Sequence, residues 1–263
     1  MKPISVHLPE DEKVIACRLF FEAVLPGLAA TINALPDWRS IGPGKGTLLL
    51  TGPYATGCQL SFDEEAVVSA PWAEGQFADL WLHFEKPDQV IQLLRGGQSF
   101  PKIKKGWKHL PQLIRFDRLT KKFQDHLKGS REGRSDSDLR QRALSLLNIA
   151  IRGTIILSEC DPRALALLGH TGPGTIALNL QGESLAVLEW SHWRLWQLQP
   201  SELKGESASA TIRFQSIQDL LEILEEEADP LVALAKGGID VSGRIPLADA
   251  FSALLDRLSY YTT

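Results

Sequence analysis

Lys102, Lys104, Lys105, Trp107 and Lys108 place four ammonium groups around one indole within seven positions, the densest such cluster in the chain. Positive charge beside an aromatic ring suits an anionic bilayer, where each cation near the surface is worth about 1 kcal/mol. The same residues also fit a solvated face, or a complement to the acids Glu222, Glu225, Glu226 and Glu227 further along. From Arg95 to Arg134 there are twelve Lys or Arg against Asp117, Asp125 and Glu132, while Ser201 to Asp229 holds eight acids against Lys204 and Arg213. Nucleic acid is not expected as a partner: the net charge is -4 and no recognition motif accompanies the basic stretch.

Catalytic and metal chemistry find little local support. Gly42-Pro43-Gly44-Lys45-Gly46-Thr47 has the composition of a phosphate-binding loop. It lacks the four-residue gap before Gly-Lys-Thr and leads into a strand pattern, where a phosphate loop must open a helix. The six histidines, at 7, 83, 109, 126, 170 and 192, show no HExxH and no pair at ligand spacing. Cys17, Cys58 and Cys160 are far apart in apolar surroundings, so they read as inert thiols, not as a disulfide frame or metal knuckle. No GxSxG occurs. The expectation is a protein without enzymatic activity, cofactor or metal.

The elements that would position these residues occur twice. Gly46-Thr47-Leu48-Leu49-Leu50 returns as Gly174-Thr175-Ile176-Ala177-Leu178, and Leu80–Phe84 returns as Ala210–Phe214, about 130 residues on in each case. That period exceeds the roughly 20–50 residues of a solenoid unit and points to two related domains. Lys128 to Asp138 has no apolar residue in eleven positions and reads as the joint. The expected division is therefore 1–130, a linker at 131–138, and 139–263. At 44% hydrophobic and 23% charged, the composition is that of an ordinary globular protein. No apolar run approaches a membrane span and the first residues lack a secretion signal, so the expected location is cytoplasmic.

Within each half the periodicity predicts a helix, about four strands, a helix, a Gly-marked extended piece and a last amphipathic helix. Residues 12–30 carry the first helix, with Pro26-Gly27 as its kink or end. Leu139, Ala143, Leu146, Leu147 and Ala150 give the second half a one-faced opening helix. Ser216 and Asp219 form a capping pair ahead of Leu220, Leu221 and Leu224. Strands gathered before helices, with no βαβ alternation, indicate an α+β plan.

The stretch Ala208–Leu258 resembles the sterol carrier protein 2 family in the order Thr211-Ile212-Arg213-Phe214, Asp219-Leu220-Leu221, Asp229-Pro230, Leu231–Ala235, Lys236-Gly237, Ile239-Asp240-Val241, Gly243 and Leu247–Leu258. The first half is similar but degenerate: Leu80–Phe84, the helix at Asp88–Leu94, Phe100–Ile103, Lys105-Gly106 and a helix after Pro111 keep the order. Trp107–Leu113 departs from it, being bulkier and more basic than the family's short strand. The resemblance implies two domains, each a roughly five-stranded, mostly antiparallel sheet covered by helices, with an apolar tunnel for fatty acyl chains, sterols, isoprenoids or similar lipids.

On that resemblance the tunnel lining of the second domain would be Trp190, Trp193, Trp196, Ile212, Phe214, Leu221, Leu224, Leu231, Phe251, Leu254 and Leu255, with the last helix as gate. The plain alternative is that Phe251, Leu254 and Leu255 close a solid core. Tryptophans at every third position cannot share one strand face, so at least one should be exposed or lie past a bend at Ser191-His192. The implied function is carriage or presentation of a lipid, with transient contact to an anionic membrane. The alternative is a non-catalytic scaffold or accessory subunit with a filled tunnel, for example in a lipid or quinone biosynthesis complex.

Overall fold

The computed structural model describes residues 8–192, 194–198, 208–225, 227 and 229–262. The chain forms two compact units, Met1–Lys122 with Tyr261–Thr263, and Phe123–Tyr260. The division thus falls earlier than the sequence expectation of 130.

The first unit opens with α1 (Glu10–Arg18), a π-helical turn (Leu19–Val24) and α2 (Leu25–Ala34). Pro26 does not end this helix. A proline ring in a helix interior collides with the carbonyl four residues back and offers no N–H. Here the ladder just before it is wider, Leu25 N–H bonding the Phe20 carbonyl, so the chain passes through without a break. The five strands are β1 (Gly46–Thr51), β2 (Gly57–Phe62), β3 (Val67–Pro71), β4 (Leu80–His83) and β5 (Lys102–Lys105), in the order β3-β2-β1-β4-β5. Between β4 and β5 runs α3 (Pro87–Leu94), and α4 (Leu110–Lys128) follows β5 through a 3-10 turn at Trp107–His109. The π turn puts Phe20 and Phe21 edge-on to each other at 5.1 Å, with Phe84 about 6 Å from both. This aromatic knot fills the core where α1 and α3 meet over the sheet.

The second unit opens with α5 (Asp136–Cys160), whose Ser135 side chain accepts the Asp138 N–H as its cap. Then come α6 (Pro162–Gly169), β6 (Gly174–Leu180), β7 (Glu183–Ser191), β8 (Arg194–Leu198), β9 (Ala210–Phe214), α7 (Ile217–Leu224), α8 (Pro230–Ala235), β10 (Ile239–Gly243) and α9 (Ile245–Thr262). Gln181 and Gly182 both take positive φ, the backbone that a two-residue hairpin needs between β6 and β7. The strand order β10-β9-β6-β7-β8 is that of the first sheet. In each sheet three neighbouring pairs are antiparallel and one, β1 with β4 or β6 with β9, is parallel. The expected α+β plan of two five-stranded, mostly antiparallel sheets, each packed with helices, is therefore observed.

Register reproduces the sequence repeat. Leu48 faces Leu80 across the parallel pair of the first sheet, and Ile176 faces Ala210 in the second. The same clasp opens both pairs. Asp79 N–H donates to Thr47 Oγ1 at 3.0 Å while Thr47 N–H donates to Asp79 Oδ2 at 2.8 Å. Ser209 N–H donates to Thr175 Oγ1 at 3.0 Å while Thr175 N–H donates to Ser209 Oγ at 3.1 Å. Beside each clasp a glycine at φ +94 (Gly106) or +84 (Gly243) passes so close that a Cβ would meet a carbonyl, Asp79 O at 2.1 Å or Ser209 O at 2.3 Å.

Two sequence expectations are corrected. The short strand of the first half is Lys102–Lys105, ahead of Gly106, so Gly106 is the counterpart of Gly243, and Trp107–Leu113 is the way into α4. The reason is that β5 is an edge strand, where lysines replace the apolar alternation that marks an inner one. Second, Glu10–Ala34 and Asp136–Cys160 are each long and apolar enough to cross a bilayer by length and composition, because Pro26-Gly27 does not end the first and the second runs on past Ala150 to Cys160. More than half of each apolar window is buried, as in core helices.

Candidate functional site

In the second unit, β9 feeds α7 and β10 feeds α9, and α8 packs on β10. Of the lining residues expected from sequence, Trp190, Ile212, Phe214, Leu221, Phe251 and Leu254 are buried, and Leu224 and Leu255 are half-buried. Trp193 lies outside the described residues. Trp196 is exposed, with the Arg194 guanidinium 4.0 Å over its ring, while Trp190 is 3% exposed. The bend at Ser191-His192 is present, His192 taking φ +51.

Leu231 differs from these: it is 74% exposed. Its helix, Pro-Leu-Val-Ala-Leu-Ala, begins where Asp229 accepts the N–H groups of Leu231 and Val232. With no polar side chain in six positions, α8 cannot turn every face inward. Only Ala233 is buried, and Leu231, Val232 and Leu234 face outward, as does Ile245 just after β10. Sequence reading missed Val232, Leu234 and Ile245; the unbroken apolar run of so short a helix was the available signal.

The last helix is tied at both ends. The Arg244 guanidinium donates to the Pro173 carbonyl at 2.5 Å and to that of Thr171. Arg257 Nε donates to Asp161 Oδ2 at 2.7 Å, and that carboxylate is buried where it also caps α6. Leu258 packs on Gly153, where a Cβ would lie 2.7 Å from its methyl carbon. These ties oppose a swing of α9.

The acids of α7 also find partners inside their own unit. Arg131 Nη2 reaches Glu225 at 2.5 Å and Glu227 at 2.9 Å, and buried Arg142 holds Glu225 at 2.8 Å. Arg131 lies 4.0 Å from Glu222 as well. Glu222, Glu225 and Glu227 thus gather on Arg131 and Arg142 of the same unit. Glu226 lies outside the described residues.

In the first unit the Gly42–Thr47 stretch leads into β1, so it opens no helix and cradles no phosphate in the manner of a nucleotide loop. A cleft of about 210 Å³, including open solvent, is lined there by Pro43, Gly46, Thr47, Leu48, Phe62, Leu80 and Gln112. That is below the roughly 300 Å³ at which ligand pockets begin. Asp79 is held below the usual carboxylate range by the Thr47 N–H and hydroxyl. Burial pulls the His83 imidazole down, and nearby Lys104 adds to it; its Nδ1 shares a hydrogen bond with Thr51 Oγ1 at 2.9 Å. The same Thr51 oxygen accepts Trp81 Nε1 at 2.8 Å. Burial pushes the Cys17 thiol from 9.0 up to about 12, helped by Asp88 and Glu10. Among the described residues no three His, Cys, Asp or Glu side chains gather as a metal site.

No family profile matches the chain, and no curated protein does. Among solved structures it is similar to the sterol carrier protein domain 2 of Helicoverpa armigera, at 15% identity over 44% of this chain and 89% of that one, TM-score 0.31. Apo sterol carrier protein 2 from Yarrowia lipolytica shows 14% identity over 41% and 86%, TM-score 0.30. Sterol carrier protein 2 like 2 from Aedes aegypti shows 21% identity over 39% and 97%, TM-score 0.23. The chain is thus one that resembles sterol carrier protein 2 domains over somewhat less than half its length.

Proposed function

We propose that this is a non-enzymatic, cytoplasmic lipid-binding protein whose second unit takes a long apolar molecule, such as a fatty acyl chain, a sterol or an isoprenoid, for carriage or presentation. The observation that carries the reading is α8, which holds three large apolar side chains in water beside β10 and Ile245. Each methylene moved from water against such a surface gains about 0.8 kcal/mol, so a dozen carbons bind without any ionic contact. Phe214, Phe251 and Leu254 add buried apolar side chains within the same unit. The matching strand order, register and clasp of the two sheets support descent by tandem duplication, with the ligand site kept in the second copy.

A second reading has its own observation. Trp190, Leu221 and Leu254 are so fully buried that they also suit a filled interior, as a scaffold or accessory subunit would have. Native mass spectrometry of the freshly purified chain, with organic extraction, separates the two. Stoichiometric lipid supports the carrier, and Leu231→Asp with Leu234→Asp then weakens uptake of a fluorescent fatty acid by about 10-fold or more. A clean apo mass together with no uptake of the fluorescent fatty acid overturns the carrier in favour of the scaffold.

A further inference from the structure

We propose that the β5–α4 corner of the first unit is a docking face for anionic phospholipid bilayers. From Lys102 to Arg118 the chain carries six Lys or Arg against Asp117 alone. The nearest carboxylates answer only part of this charge. Glu85 takes Lys102 at 3.0 Å, Asp117 takes Lys121 at 2.7 Å, and Asp79 is engaged by Thr47. Among the described residues Lys104 and Lys108 make no ion pair, and both are exposed.

Apolar surface is interleaved with this charge. Trp107, Leu110 and Ile114 fall at i, i+3 and i+7 along the 3-10 turn and α4, a spacing that puts them on one side, and all three are exposed, Trp107 by 65%. Lys105 Nζ sits 4.4 Å over the ring of Phe77, itself 68% exposed, so an aromatic and a cation are held together there. Indole and phenyl rings suit the headgroup boundary, and leucine and isoleucine the acyl layer just below it. Single-stranded nucleic acid needs successive π faces to stack on, which Leu110 and Ile114 lack, so the mixture favours a lipid surface. This face does not rest on ligand binding in the second unit.

The test is co-sedimentation of the full chain with phosphatidylcholine vesicles, with and without phosphatidylglycerol. Binding is expected only with the anionic lipid and should fall away toward ~1 M salt, where the screening length is about 3 Å. Lys104→Ala with Lys108→Ala should weaken it about 25-fold, near 5-fold per cation, and Lys104→Arg with Lys108→Arg should retain it. Trp107→Ala should weaken it as well, with near-ultraviolet dichroism confirming that each variant is folded. Equal binding to neutral vesicles, no effect of either lysine variant, or capture of single-stranded RNA without vesicle binding would overturn the proposal.

Discussion

Cys17 shows how a single side chain records its surroundings. Burial and two nearby carboxylates hold its thiol neutral up to about 12, against an ordinary 9.0. The folded state keeps a proton that the unfolded state releases, so stability is full below pH 9 and declines as pH rises from there toward 12. We expect a melting temperature that falls across that window and a shallower fall for Cys17→Ala. A thiol reagent at pH 8 should leave Cys17 unmodified until the chain is unfolded; rapid labelling of the native protein would contradict its burial. That the thiol is inert was legible from the apolar residues around it. The proximity of Asp88 was not, because it depends on α1 and α3 meeting in space. Likewise Arg131 and Arg142 gave no sign in the sequence that they would take Glu225, since the pairs lie on different elements.

Among elements, the strands that were legible are the inner ones. Gly46–Leu50 and Gly174–Leu178 share a run of apolar residues buried in succession, and they are equivalent in register as well. β5 was missed because Lys-Ile-Lys-Lys solves the problem of an open edge by charge, which erases the alternation. The continuity of Glu10–Ala34 was missed because Pro26 is read as a breaker, and a π turn carries no side-chain signature. The two close glycines give the sharpest test of the fold. Gly106→Ala and Gly243→Ala each add a Cβ within about 2.3 Å of a carbonyl at a left-handed backbone, and should each cost about 2 kcal/mol or more. Thermal melts should show both losses; a neutral alanine at either position would mean that the parallel strand pair begins differently.

Over the whole molecule, two copies of one plan carry different surfaces. The first exposes Trp107 and Ile114 among unpaired lysines, and the second exposes α8. Sequence reading located the basic cluster but not the aliphatic residues that interleave it, because exposure of a helix stripe depends on what the fold leaves uncovered. Vesicle binding and ligand uptake should therefore separate by mutation. Lys104→Ala with Lys108→Ala should lower the first and spare the second, and Leu231→Asp with Leu234→Asp the reverse, both read on the full chain. Loss of both activities by either pair would mean that the surfaces act as one.

The clasp that opens each parallel strand pair is built from a carboxylate in one copy and a hydroxyl in the other. Asp79 lies below the ordinary carboxylate value, so its contribution is present above that value and drains away as pH falls through the folded one. Ser209 has nothing to titrate. Amide exchange at Thr47 and Asp79 should accelerate in strong acid relative to Thr175 and Ser209, and Asp79→Ser should abolish that difference. Two sheets of one plan thus answer acid on separate schedules, and the chain can be loosened in one half while the corresponding fastening in the other still holds.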